Sequence, residues 1–258
     1  MNKRGLLIIF IIILSSFAYA HEENPESSIS LWYIAIGSLA VFVFVAISLI
    51  LKKINKAVMF TLIVIPILVV SFYLVYSTIS LNLKSEYNGP VHWHADFEIW
   101  NCGEKVNLMD PEGMSNRIGT SIFHEHNDNR IHVEGVVIDK DDVNLHEFFE
   151  TFGSEFEKDK LIVETNQGII SMNNGNKCNE KEGKLQVFLY KVKNPEDKKN
   201  WIYEQIKLDD FDQYVLSPYS NVPPGDCIII EFDQDKDKTD KICETYKVAM
   251  GSGDLIGG

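Results

Sequence analysis

Five of the chain's seven histidines fall within forty-one residues: His92, His94, His124, His126 and His132. Four of them form two His-x-His pairs, Val91-His-Trp-His-Ala-Asp96 and Phe123-His-Glu-His-Asn127, and His132 stands six residues beyond the second pair. On a β-strand, residues two apart share a face, so each pair sets two imidazoles side by side. Neutral imidazole is a ready ligand for zinc, copper, iron and nickel. The chemistry this spacing points to is transition-metal binding.

The elements that would position these rings can be read from the flanking residues. From Val91 to Trp100 the chain alternates. Val91, Trp93, Ala95, Phe97 and Ile99 face one way, and His92, His94, Asp96 and Glu98 the other. That is a half-buried strand. Lys105 to Leu108 reads as its partner after the turn at Asn101-Cys-Gly-Glu104. Ser121 to Glu134 reads as a second hairpin around Asn127-Asp-Asn129, three residues that suit a turn. With that turn His124 lies opposite His132, and His126 lies opposite Arg130. Directly opposed residues share a face, so three imidazoles project together. His92 and His94 either complete this site or form a second one. Asp96 and Glu134 offer carboxylates on the same faces. The candidate ligands are therefore His124, His126, His132, His92, His94 and Asp96, and the expected ion is copper or zinc.

Further along, Leu145, Phe148, Phe149 and Phe152 have helical spacing, with Asn144 as cap and Gly153 as stop. His146 lies beside that stripe and reads as a surface residue. Leu161–Glu164, Gly168–Ser171, Leu185–Val192 and Cys227–Phe232 read as strands, and Asn194–Gln205 as opening with a helical turn. Asp233, Asp235, Asp237 and Glu244 match four calcium-loop positions, yet Lys238 stands where that loop needs glycine, so the match reads as accidental. Residues 233–258 read as an acidic, partly disordered tail.

The first eighty residues belong to a membrane. Residues 1–20 combine two early positive charges, an apolar run and an Ala-Tyr-Ala exit, the pattern of a signal peptide. Residues 31–51 and 58–79 are uncharged apolar stretches, each long enough to span a bilayer, within a transmembrane hairpin over 29–80. Lys52, Lys53 and Lys56 between them mark the cytoplasmic side. The expectation is a multi-pass protein of the cell membrane, in contact with lipid through two helices, whose domain over 81–232 lies outside the cytoplasm. Of 37 acids and 24 bases in the chain, 34 and 19 follow residue 80, a net charge of −15 that repels nucleic acid and attracts cations. Cys102, Cys178, Cys227 and Cys243 all lie in that domain and read as two disulfides. Three pairings are open. We lean to Cys102–Cys178 with Cys227–Cys243.

The series His92-Trp-His-Ala-Asp-Phe97, His124-Glu-His-Asn-Asp128, Ile131-His-Val133, Leu145-His-Glu-Phe-Phe149 and Pro224-Gly-Asp-Cys-Ile-Ile-Ile230 resembles a group of membrane-anchored extracytoplasmic domains of archaea and bacteria. The resemblance covers about residues 91–232. It implies a compact α+β unit, β-grasp-like, mostly strands with one short helix. It implies no particular activity. Three other patterns fail: the metallo-β-lactamase motif needs a histidine where Asn129 stands, the amidohydrolase barrel that His92-x-His94-x-Asp96 resembles needs more chain than this domain has, and a cupin needs its glutamate closer to the pair than Glu134.

Three functions compete on these residues. The first is a membrane-tethered metal-binding domain for capture, delivery or sensing. The second is a metal-dependent hydrolase, with Asp96, Glu125 or Glu134 as general base. The third is a structural or interaction module of the cell envelope with no metal. The first is preferred, because the chain shows no nucleophile motif and no phosphate loop.

Overall fold

The computed structural model describes residues 25–50, 55–111, 116–197 and 199–258. The expected signal peptide lies outside the described residues, as do Lys52 and Lys53. The chain divides after Leu81 into two units.

In the first unit, helix α1 spans Pro25–Ile50 and helix α2 spans Lys56–Lys84. α2 is long and apolar enough to cross a membrane, whereas the apolar piece of α1 is the shorter Ile34–Ile47. α2 turns Phe60, Val69, Phe72 and Tyr76 outward, and Met59 is the buried residue among those described in it. A helix that is apolar all round needs an apolar surrounding, which lipid supplies and water does not. Gly37 of α1 faces α2 closely: a Cβ there would lie 2.3 Å from Val70 Cγ2. The missing side chain is what admits the contact.

The second unit, Asn82–Gly258, is mostly sheet. Its strands are β1 (Pro90–Asn101), β2 (Glu104–Val106), β3 (Ile118–Gly119), β4 (Phe123–Glu125) and β5 (Arg130–Val136). Helix α3 (Leu145–Glu150) is followed by β6 (Glu155–Glu157), β7 (Lys160–Thr165), β8 (Gly168–Asn173), β9 (Lys177–Cys178), β10 (Lys181–Glu182), β11 (Lys184–Val192), β12 (Trp201–Leu208) and β13 (Cys227–Asp233). Helix α4 (Glu244–Ser252) and β14 (Leu255–Gly257) close the chain. Among the described residues, nine strands form one sheet in the order β14-β12-β11-β13-β1-β5-β4-β3, with β2 also on β1. The first and last long strands, β1 and β13, run parallel at its centre; β5 and β11 flank them antiparallel. β6, β7 and β8 make a separate three-stranded sheet.

The large sheet has a core on each face. On one, Trp93, Ala95, Phe97 and Ile99 of β1 pack with Phe148 and Phe149 of α3 and with Leu161 and Val163 of β7. Phe97 meets Phe148 edge-on, with ring centroids 5.6 Å apart. Each such buried phenylalanine contributes about 1.5–3 kcal/mol. The side chain of Asn144 caps α3 by accepting from the Glu147 N–H at 2.9 Å. On the other face, Tyr246 and Ala249 of α4 cover Phe188, Tyr190, Cys227 and Ile229. Disulfides join Cys102 to Cys178 and Cys227 to Cys243.

Two expectations are corrected. Residues 233–258, expected to be partly disordered, are folded onto the sheet: α4 buries Tyr246 completely, Cys243 is tied to β13, and β14 pairs with β12. Charged residues around Cys243, Tyr246 and Ala249 mask a short amphipathic helix in the sequence, so the described residues of the unit hold two α-helices rather than one. The segment from Asn194 opens with a turn, the Asp197 N–H donating to the Asn194 carbonyl oxygen at 3.1 Å, and from Trp201 it becomes β12, whose backbone partners β11 supplies. The acidic calcium-loop match is consumed by lysines: Asp233 binds Lys236 at 2.8 Å and Asp235 binds Lys207 at 2.7 Å.

Gly225 couples the approach to β13 with the histidine strand. A Cβ there would lie 2.4 Å from the His94 carbonyl oxygen and 2.8 Å from that of Asn221. Both neighbours are backbone, so neither can swing aside. Gly225→Ala is expected to cost about 1–3 kcal/mol in a urea melt, the usual penalty for overpacking; an unchanged midpoint would refute this coupling.

Candidate metal centre

The registers of three neighbouring strands bring all five clustered histidines together. His94 on β1 lies opposite His132 on β5, and His132 lies opposite His124 on β4. These three imidazoles therefore form a row across the sheet. His92 lies opposite Glu134 one rung away, and His126 follows the end of β4. Ring centroids are 4.6 Å apart for His94 and His132, 5.3 Å for His124 and His132, and 4.9 Å for His126 and His132. The turn that allows this places Asn127 at φ 64° and Asn129 at φ 56°, left-handed values that asparagine tolerates. The expected opposition of His124 and His132 is thus present.

Among the described residues, three triads have ligand atoms within 4.8 Å of one another: His124, His126 and His132; His92, His94 and Glu134; and, on α3, His146, Glu147 and Glu150. In the first, hydrogen-bond partners select which nitrogen stays free. His126 Nδ1 meets the carbonyl oxygen of Asn116, which can only accept, so Nε2 carries the lone pair. His132 Nε2 lies 3.4 Å from Asp128 Oδ2, which leaves Nδ1 as the ligand atom. That Nδ1 is buried and has no hydrogen-bond partner, and the same is true of His124 Nδ1. Buried polar atoms without partners are uncommon. Two in adjacent rings fit a set of donors shaped for an ion, with carboxylate and carbonyl partners orienting the rings from behind.

Burial also favours the unprotonated form of His124 and His94. His124 is 3% exposed, and burial first, then the facing His126 and His132, push its pKa from 6.5 down to about 4. His94 is lowered too, mainly by burial and against the hydrogen bond to Ser220, with His132, His92 and Arg130 adding to the effect. Burial would raise Asp128, but His132 and Arg130 outweigh it and hold the carboxylate below its usual range. A neutral imidazole beside an ionised carboxylate is the state a metal cation requires.

Asp96 does not join the cluster. Its Oδ1 accepts from Arg130 Nε at 2.7 Å, and its Oδ2 accepts from the Thr245 hydroxyl of α4. It lies on the expected face, but Arg130 is its direct cross-strand partner and claims the charge. Glu125 is occupied as well: Oε1 accepts from the Asp128 and Asn129 N–H groups at 2.6 and 3.0 Å, closing the turn. Of the three proposed general bases, Glu134 alone stands among the imidazoles. His146, expected at the surface, is half-buried, with Nδ1 on the Phe156 carbonyl oxygen and Nε2 3.2 Å from Glu150. A polar cavity of about 630 Å³ is lined by Lys105, Asn107, Asp110, Asn127 and Asn166, and by none of the histidines. Comparison with known protein families, characterised proteins and solved structures finds no match for this chain.

The folded His124 has a lower pKa than the unfolded one, so the unfolded chain takes up its proton first as pH falls. Stability should therefore decline between pH 6.5 and 4. From pH 7 to 4.5 this group removes about 2 kcal/mol. Urea melts of the metal-free protein at both pH values should show that loss, and His124→Gln should reduce it. An identical pH slope in the variant would refute the assignment.

Proposed function

We propose that this protein is a membrane-tethered, extracytoplasmic binder of copper or zinc, acting in metal capture, delivery or sensing. The observation that carries this reading is the His124–His126–His132 triad, with two buried ligand-capable nitrogens left unpartnered and the rings oriented from behind. The tether is α2, which is long and apolar enough to cross a membrane. We take α1 as a second crossing, with Lys52, Lys53 and Lys56 on the cytoplasmic side, giving a multi-pass protein. The two disulfides fit an oxidising compartment and support placing the second unit outside. The central strand order β5-β1-β13-β11, with α3 between its second and third strands in sequence, supports a β-grasp-like core.

Binding is favoured over hydrolysis by the way the rings lie. The cluster grades from buried His124 to His92, whose side chain is 62% exposed. A graded, open site suits uptake and release, whereas metal-assisted hydrolysis calls for a dry, shaped pocket.

The test is metal analysis of the full chain purified in detergent. It should carry copper or zinc in stoichiometric amount, and replacing His124, His126 and His132 by alanine should weaken binding by more than about a hundredfold. Circular dichroism checks that the variant folds. A wild-type chain without metal, or a folded triple variant that keeps it, would sink the reading.

A further inference from the structure

The ligand atoms of the second triad also lie within 4.8 Å of one another. His92 Nε2 and His94 Nε2 lie 3.0 Å apart, and Glu134 Oε1 lies 3.3 Å from His92 Nε2. Donors that share one tetrahedral ion at about 2.0–2.1 Å lie roughly 3.3 Å from each other. The two separations at His92 are close to that value, with a hydrogen bond between the imidazoles holding the place a shared cation would take. His94 is held in a ligating orientation, because its Nδ1 donates to the Ser220 carbonyl oxygen at 2.7 Å and so turns a lone pair on Nε2 towards His92.

Glu134 connects the two triads. The same Oε1 that faces His92 lies 3.8 Å from His132 Nδ1, the unpartnered ligand atom of the first triad. One carboxylate thus stands between a ligand of each set. The rungs also touch directly, because His94 and His132 are cross-strand partners. Two cations at the cross-strand distance, about 5 Å, need negative charge between and beside them. Glu134 and Asp128 provide it. Arg130 would oppose it, but Asp96 neutralises Arg130 at 2.7 Å. Withholding Asp96 from the metal thereby serves the site.

We infer that the sheet holds two metal ions side by side, one on His124, His126 and His132 and one on His92 and His94, with Glu134 as the bridging carboxylate. This rests on the metal-binding reading and adds a second ion to it. The more exposed ion, on His92 and His94, is the exchangeable one; the ion on buried His124 is the retained one.

The full chain in detergent is titrated with copper(II) and followed by bound-metal analysis and electron paramagnetic resonance. Two equivalents should bind, and the signal of the doubly loaded protein should be weaker than that of two isolated ions because the spins couple. His92→Ala, at an exposed position, and the pair His92→Ala/His94→Ala should each reduce binding to one equivalent. Glu134→Gln should weaken the second ion at least tenfold and restore an uncoupled signal. One equivalent in the wild type, unchanged in His92→Ala, would overturn the second site and leave the first standing. Two uncoupled equivalents unaffected by Glu134→Gln would overturn the bridge. No binding at all would overturn the metal-binding reading itself.

Discussion

Burial of one face of β1 against the phenylalanines of α3 is the constraint on which the histidine cluster depends. Ala95, Phe97 and Ile99 are almost wholly buried. Because side chains alternate along a strand, putting these residues inside places His92, His94 and Asp96 on the opposite face. A slip of one residue would bury the imidazoles and expose the core, so register here is strongly specified. Pairing of β5 with β1 then sets His132 beside His94, and pairing of β4 with β5 adds His124. The row of rings is a consequence of core packing on the far side of the same sheet.

The opposite face is divided between structure and chemistry. Over β11 and β13 it is a second core, closed by Tyr246 and Ala249 of α4. Over β1, β5 and β4 it carries histidines and carboxylates instead. Asp96 marks the boundary, because it holds Arg130 on the histidine side and the Thr245 hydroxyl on the helix side. A buried carboxylate is costly unless paired and hydrogen-bonded, and Asp96 has both kinds of partner. The cystine from β13 to Cys243 holds the chain at the start of α4, so the covered half ends at a defined place.

Much of this was legible in short stretches of sequence. The β1 alternation, the Asn-Asp-Asn turn, the α3 cap at Asn144 and the opposition of His124 to His132 are local patterns, and each is present. The choice among three disulfide pairings was open from spacing, and the fold brings Cys102 to Cys178 and Cys227 to Cys243. The readings that fail share a cause. Asp96 looks like a ligand by strand phase, but its partner Arg130 comes from another hairpin. Residues 233–258 look like an acidic, partly disordered tail by charge, but Tyr246 finds a hydrophobic surface made by β11 and β13.

By itself, then, the sequence determined the periodicities: which residues of each strand share a face, where the turns fall, which helices are apolar all round, and that three imidazoles share one hairpin. Those follow from backbone geometry and near-neighbour sterics, which act over a few residues. Tertiary structure decided which hairpins lie side by side. That pairing joined His92 and His94 to the other three, put Glu134 between the two sets and gave Asp96 to Arg130. Such contacts link residues far apart in the chain, and their choice is made by burial of the whole core, which no local pattern encodes.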